Sequence, residues 1–309
     1  MPADPTTEST DPIAEFRTRV VTAVDGVHIP VVETGPIDGS PIVFVHGLAS
    51  SHAAWSGVMR DGRLAERFRL IAFDLRGHGD AAQPLTGEQL DATTAAINEL
   101  TWSKDLDAVV AGLTGVHVVG WSFGCRVTAG WLHQRGGLGN ASGVTFVAGP
   151  SVLAPLPEDD PAAGAVRPDA LPILFRAAEG GERAYAELLL GRVDHSTAET
   201  FDEGRVAAVA AVTAMTNPRA VTSALGAPFD YRPFLAELAP DERRRMRALI
   251  VSDDLVFEPK ATRASWTEAG VATSLVGGQP HAWPITDPTA FVSELLTQLD
   301  ATIEEPWPR

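Results

Sequence analysis

The sequence predicts an α/β protein: a mostly parallel sheet of about eight strands flanked by helices, with a helical cap inserted late in the core. Three observations carry that prediction. Short β-branched runs that end in Gly, Asp or His clusters alternate with stretches whose apolar residues recur at three and four positions, as strands joined through crossover helices do. The first two runs are joined instead by Asp25-Gly26, a turn pair suited to an antiparallel hairpin at one sheet edge. Finally, 99 residues lie between Ala148, where one run ends, and Ala248, where the next begins. A crossover with short loops needs on the order of 10–20.

In chain order, strands are expected at residues 17–24, 27–33, 41–45, 69–73, 116–121, 143–148, 248–252 and 272–276. Helices are expected at 55–68, 102–113, 123–134, 259–269 and 288–299, where the apolar spacing is helical. The long connection has helical stretches of its own at 170–178, 182–190, 197–215 and 219–225. Residues 150–246 are therefore assigned to the cap, and 1–149 with 247–309 to the core. Segments 1–12 and 304–309, rich in Pro and charge and without periodicity, are expected to fray.

Composition bounds the function. A chain of 309 residues with 24 Lys+Arg against 40 Asp+Glu has a formal charge of −16, which disfavours nucleic acid and anionic membrane surfaces as partners. The single cysteine, Cys125, cannot form an internal disulfide, and no Cys/His spacing resembles a structural zinc site. The first 15 residues are polar and acidic, unlike a signal peptide, and no 18-residue apolar run exists to span a bilayer. A cytoplasmic protein acting on a small molecule is expected, and association into a homo-oligomer is left open.

The chemistry is signalled by Gly120-Trp121-Ser122-Phe123-Gly124, which follows an apolar strand and opens a helix. A serine on so sharp a turn has its hydroxyl pushed out of the backbone, and the flanking glycines remove side chains that would clash. The helix beginning at Phe123 turns its unsatisfied N–H groups toward any developing anion. Upstream by 76 residues, His46-Gly47-Leu48 closes another strand in a loop of small residues. An oxyanion hole needs two converging donors, and the mechanics of the motif assign them to the amides of Phe123 and Leu48.

With these motifs the sequence resembles the α/β-hydrolase superfamily over roughly residues 17–302, including the segment Asp74-Leu75-Arg76-Gly77-His78-Gly79 that is typical of it. The G-W-S-x-G form looks like that of esterases and lactonases of the superfamily. The resemblance implies a triad in chain order serine, acid, histidine. The base is then His281, the only histidine among the last 114 residues, with His52 kept as an alternative close to the Leu48 loop. The acid is Asp254 or Asp253; the turn is two residues shorter than the family pattern, and Asp254 fits the spacing to Pro259 better.

Other features are assigned bland roles. Cys125 is expected to pack in the core, and His28 and His195 to lie at the surface. Gly137-Leu138-Gly139 precedes a strand rather than following one, so it is no dinucleotide loop, and Asn140-Ala141-Ser142 is a sequon without a secretory context. The cap tyrosines, Tyr185 and Tyr231, would suit epoxide opening only with an Asp nucleophile, which Ser122 is not. Trp121, Leu153, Phe175 and Trp283 are expected to bind substrate. Leu156, Leu171, Met215, Phe229 and Phe234 are added as cap wall residues that select substrate without taking part in the chemistry. The expected activity is hydrolysis of an ester or lactone by Ser122, Asp254 and His281, with no metal or organic cofactor. C–C cleavage, lyase, dehydration or cyclisation chemistry on the same scaffold, or a non-catalytic small-molecule receptor, are the alternatives.

Overall fold

The computed structural model describes residues 15–82, 97–191 and 202–302. Expectations for residues 1–12, His195, residues 197–201 and 304–309 fall outside the described residues.

All eight expected strands are present in one sheet. They are β1 (Arg17–Thr22), β2 (His28–Thr34), β3 (Ser40–Val45), β4 (Phe68–Phe73), β5 (His117–Trp121), β6 (Gly143–Val147), β9 (Met246–Val251) and β10 (Ala272–Val276). The short strands β7 (Val152–Leu153) and β8 (Phe229–Asp230) pair separately within the long connection. The main sheet runs β1-β2-β4-β3-β5-β6-β9-β10. β1 and β2 form the antiparallel edge hairpin, closed by Asp25-Gly26 with Gly26 at φ 83°, a left-handed conformation that glycine adopts without a Cβ clash. The central strands β5 and β6 are buried along their whole length, so their near-continuous apolar runs are what a sheet covered on both faces requires.

Strand order fixes where a site can form. β3 lies between β4 and β5; the chain leaves β3 toward β4, whereas β5 is followed by β6 on the other side. The connections diverge at this point, leaving a crevice beyond the carboxyl ends of β3 and β5. The Leu48 loop follows β3 and Ser122 follows β5.

The helix expected over residues 55–68 is not continuous. A 3₁₀ turn (His52–Trp55) leads into α1 (Ser56–Met59), and the chain then restarts in α2 (Gly62–Ala65). Asp61 breaks it: its backbone is extended (ψ 116°) and its side chain accepts the Arg63 amide at 3.0 Å, an N-cap inside what periodicity reads as one helix. The other core helices, α3 (Glu99–Val110), α4 (Phe123–Arg135), α11 (Pro259–Glu268) and α13 (Pro288–Thr302), start and stop within a few residues of expectation, and a short α12 (Trp283–Thr286) precedes the last.

The long connection holds α5 (Leu171–Phe175), α6 (Glu182–Leu189), α7 (Glu203–Ala214) and α8 (Pro218–Gly226). It also holds α9 (Arg232–Glu237) and α10 (Pro240–Arg244), too short for a periodic signal. The long connection is tied to the turn after β9 by an isolated bridge between Val166 and Phe257 and by the Arg167 side chain, which donates to the Asp254 carbonyl at 2.8 Å.

Candidate active site

Ser122 stands on a sharp turn between β5 and α4, with φ 56° and ψ −117°. Three glycines make the turn possible. A Cβ on Gly120 would lie 2.5 Å from the Gly124 carbonyl oxygen, one on Gly124 would lie 2.3 Å from that of Val45, and one on Gly149 would lie 2.6 Å from that of Ser122. Each contact is with backbone, which cannot swing aside. Strain in a non-glycine residue persists only where surrounding structure enforces it. Here the Ser122 amide donates to Val147 at 2.7 Å and its carbonyl accepts from Cys125 at 2.9 Å.

His281 lies between Ser122 and Asp254. Its Nε2 is 2.8 Å from Ser122 Oγ and its Nδ1 is 2.9 Å from Asp254 Oδ2. Asp254 Oδ1 is occupied by the amides of Val256 at 2.7 Å and Phe257 at 2.9 Å, which leaves Oδ2 for the imidazole. Nδ1 must then carry the ring proton, and Nε2 is left as the acceptor for the serine hydroxyl. Asp253 is exposed and accepts from the Ser252 hydroxyl at 2.6 Å, outside this chain of bonds.

His52, the alternative base, is engaged elsewhere. Its Nδ1 lies 2.9 Å from Asp74 Oδ1, and its backbone amide donates to the same oxygen at 2.6 Å. The hydrogen bond to Asp74 raises its pKa above the ordinary histidine value, against the opposing effect of burial. Asp74 Oδ2 accepts the Asp80 amide at 2.8 Å, and a Cβ on Gly79 would lie 2.4 Å from that oxygen. The Asp74 to Gly79 segment thus buttresses the Leu48 loop. Within it, Arg76 is buried, with Nε 2.7 Å from Asp105 Oδ2 and a terminal nitrogen 2.6 Å from Asp25 Oδ2.

Ser122 opens into a cavity of about 50 Å³ walled by Leu48, Phe123, Arg126, Pro150, Leu153, Leu174, Tyr185, Leu189, Ala224, Leu225, Phe229, Val256, Phe257 and His281. Leu48 and Phe123, the expected oxyanion donors, both line it, and Phe123 begins α4, where helix amides have no intrahelical acceptor. A second, apolar cavity of about 440 Å³ adjoins the first, sharing Leu153, Leu174, Leu225 and Phe257.

Of the residues expected to bind substrate, Leu153 lines both cavities, but Trp121, Trp283 and Phe175 line neither. Trp121 is buried with its indole N–H on the His281 carbonyl at 2.8 Å, so it supports the histidine loop from behind. Trp283 is buried against Phe291, and Phe175 is 44% exposed. Among the other wall candidates Phe229 lines the inner cavity, and Leu156 and Leu171 line the outer. Met215 is exposed, and Phe234 packs edge-on against His133 with centroids 4.9 Å apart.

Sequence reasoning missed Arg126 as a lining residue. It follows Ser122 by four positions, in the first turn of α4, is 3% exposed, donates to the Ala224 carbonyl at 2.6 Å and lies 4.6 Å from the Phe229 ring centroid. An arginine within the run 123–132, whose other members are apolar or small, was the available signal.

A doubly wound sheet with a serine at the crest of a strand-to-helix turn, hydrogen-bonded through histidine to a carboxylate, defines the α/β-hydrolase class. The chain matches the alpha/beta hydrolase family over residues 42–295 and belongs to it. Its fold is similar to that of the esterase RhEst1 from Rhodococcus sp. ECU1013, with 25% identity, a TM-score of 0.73, and 93% of this chain and 99% of that one covered. It is also similar to a bromoperoxidase from Bacillus anthracis, with 21% identity, a TM-score of 0.70, and 92% and 100% covered. Among curated proteins it is 35% identical over 143 residues to "Probable oxidoreductase EphD" of Mycobacterium tuberculosis, a match covering 45% of this chain but only 23% of that protein. It is 41% identical over 90 residues to the non-heme chloroperoxidase of Streptomyces lividans, covering 29% of this chain and 32% of that protein. No helix among the described residues is long and apolar enough to cross a membrane.

Proposed function

We propose that the protein is a serine hydrolase that cleaves a carboxylic ester or lactone of a small, largely apolar molecule through an acyl-enzyme. The carrying observation is the unbroken chain from Asp254 through His281 to Ser122, opening into an apolar cavity. Ser122 Oγ attacks the carbonyl carbon while His281 Nε2 takes its proton. The tetrahedral oxyanion is stabilised by the amides of Leu48 and Phe123. Collapse expels the alcohol, which takes the proton back from Nε2. Water, deprotonated by His281, then attacks the acyl-enzyme, and the acid leaves as Ser122 regains its proton. Throughout, Asp254 holds the Nδ1 proton and offsets the charge of the imidazolium.

Residues 150–246 serve in this reading as a cap. They supply Leu153, Leu174 and Leu225 to the junction of the two cavities, so the outer one accommodates the apolar body of the substrate. The similarity to RhEst1 favours ester hydrolysis. A single buried thiol accords with action in the cytoplasm.

The test is a panel of p-nitrophenyl esters from acetate to decanoate, together with lactones, combined with labelling by a fluorophosphonate. The wild type should be labelled and should turn over esters; Ser122→Ala should be unlabelled, folded and inactive. A Ser122→Ala variant retaining most of the turnover would remove the serine mechanism, and an unreactive wild type would leave a receptor.

A further inference from the structure

The inserted segment does more than wall the cavity. Tyr185 and Leu189 lie four positions apart on α6, hence on one face of it, and each reaches a different core loop. The buried Tyr185 hydroxyl donates to the Leu48 carbonyl. One turn on, the Leu189 carbonyl accepts at 2.9 Å from the amide of Ala282, the residue after His281. One helix thus bridges the loop before the oxyanion site and the loop that carries the imidazole.

The two peptides flanking Leu48 show what this bridge controls. In a trans peptide the C=O and N–H point in opposite directions. The Gly47 carbonyl lies 2.7 Å from His46 Nδ1, while His46 Nε2 accepts the Leu75 amide at 3.0 Å, so Nδ1 carries the proton and donates. Burial holds the His46 pKa below its ordinary value, so the ring stays neutral. This anchor turns the Leu48 N–H away from His46. The following peptide is anchored only a residue later, by Tyr185 on the Leu48 carbonyl. Beyond it Ala49 sits at φ 48°, a left-handed conformation that a residue with a Cβ rarely adopts. Rotation of the 48–49 peptide would relieve that strain, and the bond from Tyr185 opposes it.

We propose that Tyr185 is a positioning residue, which through the Leu48 carbonyl holds the oxyanion loop in its strained conformation while its helix sets that loop against His281. The proposal rests on the reading of Ser122 as nucleophile, and extends the role of the insertion from selecting substrate to aligning the reacting groups. Burial pushes the Tyr185 phenol pKa up, so the group remains a donor at all working pH.

Tyr185→Phe keeps the ring and removes the donor. Its kcat on p-nitrophenyl acetate, per active site titrated with fluorophosphonate, should fall roughly 10- to 100-fold, less than the 10²–10³ that loss of a whole oxyanion donor costs. KM should move less than about twofold, and a long-chain ester should lose kcat by the same factor. The Ki of a boronic acid that mimics the tetrahedral adduct should rise in parallel. A rise in KM confined to bulky esters would make Tyr185 a wall residue, and a lower melting temperature with unchanged kcat per site would make it merely stabilising; either overturns the proposal. Hydrogen exchange on the full chain gives a readout independent of turnover. Amides of residues 47–51 and 281–283 should exchange faster in the variant, with β5 and β6 unchanged, and equal exchange in those loops would also overturn it. An unlabelled wild type would defeat the nucleophile assignment, and the exchange result would still decide the bridge.

Discussion

The two oxygens of Asp254 have separate duties, one bound by two backbone amides and one facing His281. Asp254→Asn would present an amide N–H to Nδ1 and favour the wrong imidazole tautomer, so kcat should drop by roughly 10³–10⁴ with KM little changed. Asp253→Asn, on an exposed side chain, should leave kcat within about twofold; steady-state kinetics on one activated ester compare the two, and the reverse order would move the acid to Asp253. The strand-to-helix turn at Ser122 was legible because its neighbours supply a context: glycines, a strand before it and a helix after it. Asp254 was legible only as one of a pair, since the amides of Val256 and Phe257 that select it depend on how the turn folds back. Trp121 and Trp283 misled because a large aromatic beside a reactive residue reads equally as a wall of the pocket or a support behind it. Tyr185 was placed in the cap, but its role there could not be read, for its partner lies 137 positions away.

At the scale of elements, the eight strands of the main sheet were read to within two residues at either end, because the buried central strands demand apolar runs bounded by turn residues, whereas the two-residue strands β7 and β8 are too short to signal. Short helices fared worse. The break at Asp61 is made by one side chain, and α9 and α10 are too brief to show a period. The packing of α4 beneath β3 leads to a sharp expectation. Gly124→Ala would place a methyl 2.3 Å from the Val45 carbonyl, so strand and helix would have to part, costing about 2–3 kcal/mol and displacing Ser122. Gly277→Ala, where a Cβ meets nothing within 4 Å, should stay within about 0.5 kcal/mol of the parent. Urea denaturation measures both, and equal stabilities would mean that the elbow yields more easily than its contacts imply.

For the molecule as a whole, protons bear on stability through its buried histidines. Burial lowers the pKa of His78 and of His117 to about 3, and lowers that of His46 as well. These folded values lie below the unfolded one, so the unfolded chain binds more protons: the stability is fully present above about pH 6.5 and is lost as pH falls toward 3. His52, raised by Asp74, acts in the opposite sense. The melting temperature should therefore decline between about pH 7.5 and 5. His117→Asn should show a shallower decline, and parallel curves would exclude His117 as a contributor. The bond between His281 and Ser122 joins positions 159 apart, and that between Tyr185 and Leu48 closes a second long span across the first. Such loops are slow to close in a refolding chain, whereas the β1–β2 hairpin needs only its neighbours. Under the proposed mechanism a half-folded molecule can thus possess most of its sheet and still lack a competent serine, so regained reactivity would mark the end of folding rather than its progress.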